Sequence, residues 1–241
     1  MLYLIGLGLW DEQDVSLRVV NVAKSCDDVY IEQYTSNWQG DVANIEKLIG
    51  KKVSLLSREK VESDFLIKEA KSKNVALLVP GDPLTATTHF QLFYECRKTG
   101  ISCFVIHSSS IYTAASITGL QLYKFGRATT LAKPQPNYNP ESPYDVITEN
   151  KKAGLHSLVL LDTAEGGMSI KEGLQLLQSI DKKRNEKLID EKILIAARLG
   201  SDKPLIKYGF ASELLIEEKP GVIIIPGKLN FKEEEALELW E

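Results

Sequence analysis

The most constraining feature of the chain is the apolar run Val75-Ala76-Leu77-Leu78, which Pro80 and Gly81 stop abruptly. A β-prone run without polar alternation reads as a strand buried on both faces that empties into a loop. The loop is Gly81-Asp82-Pro83-Leu84-Thr85-Ala86, and Thr87, Thr88 or His89 can open the helix after it. Strand, polar loop and helix in that order form the unit of a parallel sheet, where ligands gather beyond the strands' carboxyl ends. Asp82 is the acid at that place. The plain alternative is a surface turn in which Asp82 bonds only its own backbone.

The same unit recurs through the first half. Residues 2–5 form a short apolar strand, followed by Gly6-Leu7-Gly8-Leu9 and then by Asp14. Asp14 can cap a helix whose apolar face is Val15, Val19, Val22 and Ala23. Further strands are expected at 29–31, 53–56 and 101–106, with helices at 43–49, 61–73 and 90–98. The 61–73 helix is charged and amphipathic, with Phe65, Ile67 and Ala70 on its buried side. His107-Ser108-Ser109-Ser110 then leads into a helix opening at Ile111. Five alternations of strand and helix predict a parallel sheet covered on both faces, with loops 6–9, 81–87 and 107–111 on one edge.

The glycine loop also discriminates between ligands. A dinucleotide-binding loop needs a third glycine three residues after the second, and Asp11 occupies that position. An acid there repels a pyrophosphate, so the loop suits a ligand without phosphates. Glu32, at the end of the second strand, stands where such proteins hold a ribose, which keeps a nucleotide-dependent oxidoreductase open.

Gly119-Leu120-Gln121-Leu122-Tyr123-Lys124-Phe125-Gly126 is a joint between halves, giving expected domains at 1–118 and 119–241. The second half begins with a strand at 128–132 and a proline-rich loop at 133–143, either a spacer or a semi-rigid lid. A helix at 144–153 and a buried strand at 157–161 follow. Ser169 and Glu172 form a capping box for a helix lined by Ile170, Leu174, Leu177 and Ile180. Residues 182–192 read as a charged turn, with strands at 193–199, 206–208 and 222–225 beyond it. The acidic terminal helix from Phe231 turns Leu237 and Trp240 inward.

Composition excludes several classes. A net charge of −4 argues against affinity gained by neutralising phosphates, so no direct nucleic-acid partner is expected. Cys26, Cys96 and Cys103 are odd in number and lack CxxC spacing, which suggests neither a disulfide framework nor a metal site. No apolar stretch approaches the roughly 20 residues that span a bilayer, and Met1 runs into a strand and not a leader, so a cytoplasmic protein without membrane contact is expected.

Eight segments in order carry a resemblance: MLYLIGLGL at the start, YTS at 34–36, GDP with ATTH over 81–89, HSSSI at 107–111, GLQLYKFG at 119–126, LLD at 160–162, ARLGSD at 197–202 and PGKL at 226–229. Together they resemble the diphthine synthase family of tetrapyrrole-methylase-like methyltransferases, over nearly the whole chain. The resemblance implies an α/β protein of class III methyltransferase type, with two α/β domains and S-adenosylmethionine in the cleft between them. Implied cofactor contacts are Leu9, Asp82, Thr85, Ser110, Ile111, Leu161, Leu199 and Asn230. Family members often carry His where Asn230 stands; Asn can hydrogen-bond there but cannot titrate.

The implied reaction trimethylates the amino group of a carboxy-aminopropyl-modified histidine of elongation factor 2, leaving diphthine and S-adenosylhomocysteine. A homodimer is implied as well. Relatives from eukaryotes carry a long insertion after LLD, whereas the 162–169 link here is short, as in the form that stops at three methyl groups. No side chain is singled out as catalytic. His89, His107 and His156 are either bases or structural, and Lys124 and Lys228 are candidates for holding the acceptor's carboxylate. The alternatives are a methyltransferase of the same fold acting on a tetrapyrrole or another small molecule, the oxidoreductase, and a non-catalytic adaptor of the translation factor.

Overall fold

A computed structural model describes residues 1–136, 138–164 and 166–241. Asn137 of the proline-rich loop and Glu165 of the short link lie outside the described residues. The chain divides into two compact units, Met1–Ile111 and Tyr112–Glu241, so the division falls ahead of the 119–126 segment.

The first unit runs β1 (Leu2–Gly6), α1 (Leu17–Ser25), β2 (Asp28–Ile31), α2 (Val42–Ile49), β3 (Val53–Leu55), α3 (Arg58–Glu62), α4 (Phe65–Glu69), β4 (Val75–Val79), α5 (Phe90–Lys98) and β5 (Cys103–Ile106), and α6 (Ile111–Ala114) opens at its end. The sheet order is β3-β2-β4-β1-β5 with every pairing parallel. β4 is central and buried at all five residues, as its unbroken apolar run requires. Side chains alternate across the sheet. Leu2, Leu4, Val75, Leu77 and Val79 pack with Leu66, Leu92 and Cys96 on one face. Ile5, Ala76 and Leu78 pack with Val19, Ala23, Ile45 and Ile49 on the other. Each such Leu, Ile or Val contributes roughly 1.5–3 kcal/mol by leaving water.

Two local expectations fail here. Asp14 does not cap α1; its carboxylate accepts the Trp10 N–H at 2.6 Å, and Ser16 caps the helix through Val19 N–H at 3.3 Å. The single helix over 61–73 is instead the pair α3 and α4. Ser63 separates them, its Oγ donating to the Lys60 carbonyl at 2.7 Å and accepting from Phe65 N–H at 3.2 Å. Such side-chain bonds to the backbone compete with helix continuation. Leu66 is fully buried beside the expected Ile67 and Ala70, while Phe65 is only partly covered.

The second unit contains β6 (Thr129–Leu131), α7 (Ser142–Lys152), β7 (Ser157–Leu161), α8 (Ile170–Arg184), β8 (Ile193–Ala197), β9 (Leu205–Gly209), β10 (Gly221–Ile225) and α9 (Phe231–Leu237). Its sheet order is β6-β7-β10-β8-β9, with β10 antiparallel to both neighbours. β7 and β8 therefore point the same way and β10 points back. The capping box forms as the spacing predicts, and Ile170, Leu174, Leu177 and Ile180 are buried in the core. Residues 182–192 are more than a charged turn. α8 runs on through Arg184, whose guanidinium meets Glu141 at 2.8 Å and Asp145 at 2.6 Å. Leu188 and Ile189 are buried, their N–H groups donating to the Asp181 carboxylate at 3.1 and 3.3 Å.

Candidate active site

Because β4, β1 and β5 are neighbours and parallel, their carboxyl ends deliver the three polar loops to one edge of the first sheet. The loops are laced by main chain. Gly8 N–H donates to the Gly81 carbonyl at 3.2 Å, and Gly81 N–H returns to the Gly8 carbonyl at 2.8 Å. A Cβ on Gly6 would stand 2.6 Å from the Gly81 oxygen and 2.7 Å from Ser108 Cβ. Only glycine allows this approach.

Asp82 is the polar knot of that edge. Its buried carboxylate accepts Leu84 N–H at 2.9 Å and Thr85 Oγ1–H at 3.2 Å on one oxygen. The other oxygen accepts Ser108 N–H at 3.2 Å and His107 Nδ1 at 2.8 Å. Burial pushes the carboxyl upward, yet the bonds from Leu84 N–H, His107 and Ser108 N–H outweigh it and hold Asp82 below the usual carboxylate range. Four donors fill the acceptor capacity of a carboxylate, so Asp82 ties the loop after β4 to the loop after β5. Leu9, Thr85 and Ile111 are half-buried around it, and Ser110 is buried. The first unit thus brings together five of the eight expected cofactor contacts.

The second unit arranges its three differently. Leu161 ends β7 and Leu199 follows β8, so both lie at the same edge of that sheet, buried. Asn230 follows β10, whose last residue Ile225 pairs with Ser157, the first residue of β7. It therefore stands beyond the opposite edge. There it caps α9, Oδ1 accepting Lys232 and Glu233 N–H at 3.0 and 3.1 Å while Nδ2 donates to Gln121 Oε1 at 2.9 Å. Asn is among the best N-cap residues, which accounts for its presence locally.

Beside that cap lies a group the sequence reading missed. Glu233, which lies in the acidic terminal helix and is not among the residues expected to turn inward, is fully buried. Its carboxylate accepts Gln121 N–H at 3.1 Å, Asn230 N–H at 3.0 Å and His156 Nε2 at 3.0 Å, and pairs with the Lys124 ammonium. Burial opposes the charge, but Lys124 and these donors prevail and hold the carboxyl at about 2. The available signal was the pair Asn230 and Glu233, spaced as a capping box. Lys124 is thereby removed as a holder of the acceptor's carboxylate, since its ammonium serves Glu233 and the Lys228 carbonyl at 2.7 Å. Lys228 itself is exposed.

The histidines separate in the same way. His156 is buried, Nδ1 accepting Gly227 N–H at 2.9 Å and Nε2 bonded to Glu233, so it is structural. His89 is buried between the Pro83 carbonyl at 3.3 Å and the Tyr34 hydroxyl at 3.1 Å. His107 alone is open, its side chain 68% exposed. Glu32 is fully buried; its Oε2 accepts Tyr34 and Thr35 N–H at 2.8 and 3.0 Å, and its Oε1 has no hydrogen-bond partner among the described residues. Among the described residues no cluster of His, Cys, Asp or Glu is arranged to hold a metal, and no helix is long and apolar enough to cross a membrane.

The segments 6–11, 80–89 and 107–111 contain no lysine or arginine, and two acids, Asp11 and Asp82. This set is wrong for a phosphate and suited to a cation, and S-adenosylmethionine carries a positive sulfonium and no phosphate.

Comparison with known proteins agrees. A family model described as Tetrapyrrole (Corrin/Porphyrin) Methylases matches residues 1–214. Diphthine synthase of Methanococcus aeolicus is 46% identical over 249 residues, covering 98% of this chain and 96% of that protein. That of Methanocaldococcus jannaschii is 45% identical over 250 residues, covering 98% and 97%. A crystal structure of diphthine synthase superposes with a TM-score of 0.91 at 34% identity, covering 100% of this chain and 96% of the other. A protein from Entamoeba histolytica, described as a candidate diphthine synthase, gives 0.89 at 36% identity, covering 100% and 98%. The chain belongs to the tetrapyrrole methylase family and is an S-adenosylmethionine-dependent methyltransferase. Within that family its place is among the diphthine synthases, the enzymes of diphthamide biosynthesis.

Proposed function

We propose that the protein trimethylates the amino group of the carboxy-aminopropyl-modified histidine of elongation factor 2, acting in the cytoplasm as a homodimer. The observation that carries this reading is the glycine-laced edge without lysine or arginine, in a chain 46% identical to diphthine synthases along 98% of its length. In this reading Leu9, Thr85, Ser110 and Ile111 contact S-adenosylmethionine from the first unit, with Asp82 bracing their loops. Leu161 and Leu199 are contacts from the second. Asn230 is the third contact from the second, through the Nδ2–H that it does not give to Gln121. The short link 162–169 supports a product carrying three methyl groups.

Bound S-adenosylmethionine supplies an electrophilic methyl group on a sulfonium sulfur. The residues around it have little charge to stabilise, because positive charge passes from sulfur to nitrogen and none is created. Their contribution is alignment and exclusion of water, which half-buried Leu9 and Ile111 on laced loops are placed to give. The test is incubation with labelled S-adenosylmethionine and unmethylated elongation factor 2, followed by mass spectrometry of the histidine peptide. Three added methyl groups are expected. Transfer to a tetrapyrrole and none to the peptide would overturn the reading.

A further inference from the structure

We propose that His107 is the general base that strips the acceptor ammonium of its protons, with Asp82 as its positioning residue. This rests on the function proposed above. An amine at neutral pH is mostly an ammonium, and each methyl transfer leaves the nitrogen cationic again. Converting R–NH3⁺ to R–N(CH3)3⁺ therefore releases three protons, one before each transfer. A site that repeats the step needs an acceptor that can also hand protons to water.

His107 has that geometry. Asp82 is ionised and can only accept, so the 2.8 Å contact fixes the proton of neutral His107 on Nδ1 and leaves a lone pair on Nε2. The ring projects from the loop holding Ser110 and Ile111, and its exposure gives Nε2 a path to solvent. The other titratable groups of the neighbouring loops are occupied elsewhere. Asp11 accepts Gln13 N–H, Glu12 accepts Asn44 Nδ2 and Asp41 N–H, and Asp14 accepts Trp10 N–H. His89 is bonded on both nitrogens. In the step itself an N–H bond of the ammonium breaks, its electron pair stays on the amine nitrogen, and the proton forms a bond to Nε2. The imidazolium then passes it to water, and the freed pair attacks the methyl carbon.

The test compares wild type with His107→Asn and His107→Gln, both of which keep a donor for Asp82. Calorimetry with S-adenosylmethionine should give unchanged affinity. Near pH 7, transfer should fall by about 10²-fold or more, the usual share of a general base. Wild type, which carries its own proton acceptor, should depend less steeply on pH than the variants. The variants should keep rising with pH and release mono- and dimethylated peptide. Nitrogen NMR of the wild type without ligands should show the Nδ1–H tautomer. Variants that match wild type in rate, pH profile and products, or an Nε2–H tautomer, would overturn the assignment. Absence of transfer by wild type would instead defeat the proposed function.

Discussion

Each unit contains a buried carboxylate bonded to a histidine, and the two pairs differ in what is left over. At Glu233 both ring nitrogens of His156 are occupied and a lysine completes the charge, so the group is sealed. At Asp82 the donors are two main-chain N–H groups, a hydroxyl and one nitrogen of an exposed ring, so one nitrogen remains open. The same pairing therefore serves as a clasp in one place and as a candidate proton acceptor in the other. What decides is whether the far nitrogen meets protein or water.

The largest effect should come from breaking the sealed pair. Glu233→Ala leaves the Lys124 ammonium without its counter-charge and His156 Nε2 without its acceptor, and should cost about 3–5 kcal/mol in urea unfolding. The pH dependence follows with its sign. A carboxyl lowered from 4.5 to about 2 contributes stability that is complete above pH 4.5 and fades as pH falls toward about 2. Unfolding of Glu233→Gln should be flatter across that window. Next, Gly6→Ala presses a methyl against the Gly81 carbonyl and Ser108, under the open pair. It should cost about 1–3 kcal/mol and weaken S-adenosylmethionine binding by calorimetry. Asn230→Ala removes the cap of α9 and should cost about 1 kcal/mol. If Asn230 is chiefly a cap, cofactor affinity should stay within a factor of two or so, an outcome read in the same calorimetric assay. The smallest stability change belongs to His107→Asn, about 1 kcal/mol or less, because Asp82 keeps its other three donors and the new amide can supply a fourth. A larger loss would make His107 a clasp like His156.

Much of the fold was legible because the informative residues act locally. The unbroken apolar run of β4 announced a strand buried on both faces, and Ser169 with Glu172 announced the start of α8. What local pattern could not show was competition between neighbours. Asp14 and Ser16 are both acceptable caps, and the Trp10 N–H settled which was free. Ser63 looked like one more polar residue on a helix until its hydroxyl bonded the backbone on either side. The site was legible in its loops, since Gly6, Gly8 and Asp82 stand at strand ends in the sequence itself. Glu233 was not, because a glutamate in an acidic run takes its meaning from Gln121, Lys124 and His156, all far away in the chain.

The reciprocal bonds between Gly8 and Gly81 join two loops without using any side chain. Drift at Leu9, Thr85 or Ser110 can then reshape what the edge admits while its foundation stays put. A library that varies those three positions to retune the grip on the methyl donor should spare residues 6, 8 and 81, so that most of its members still fold.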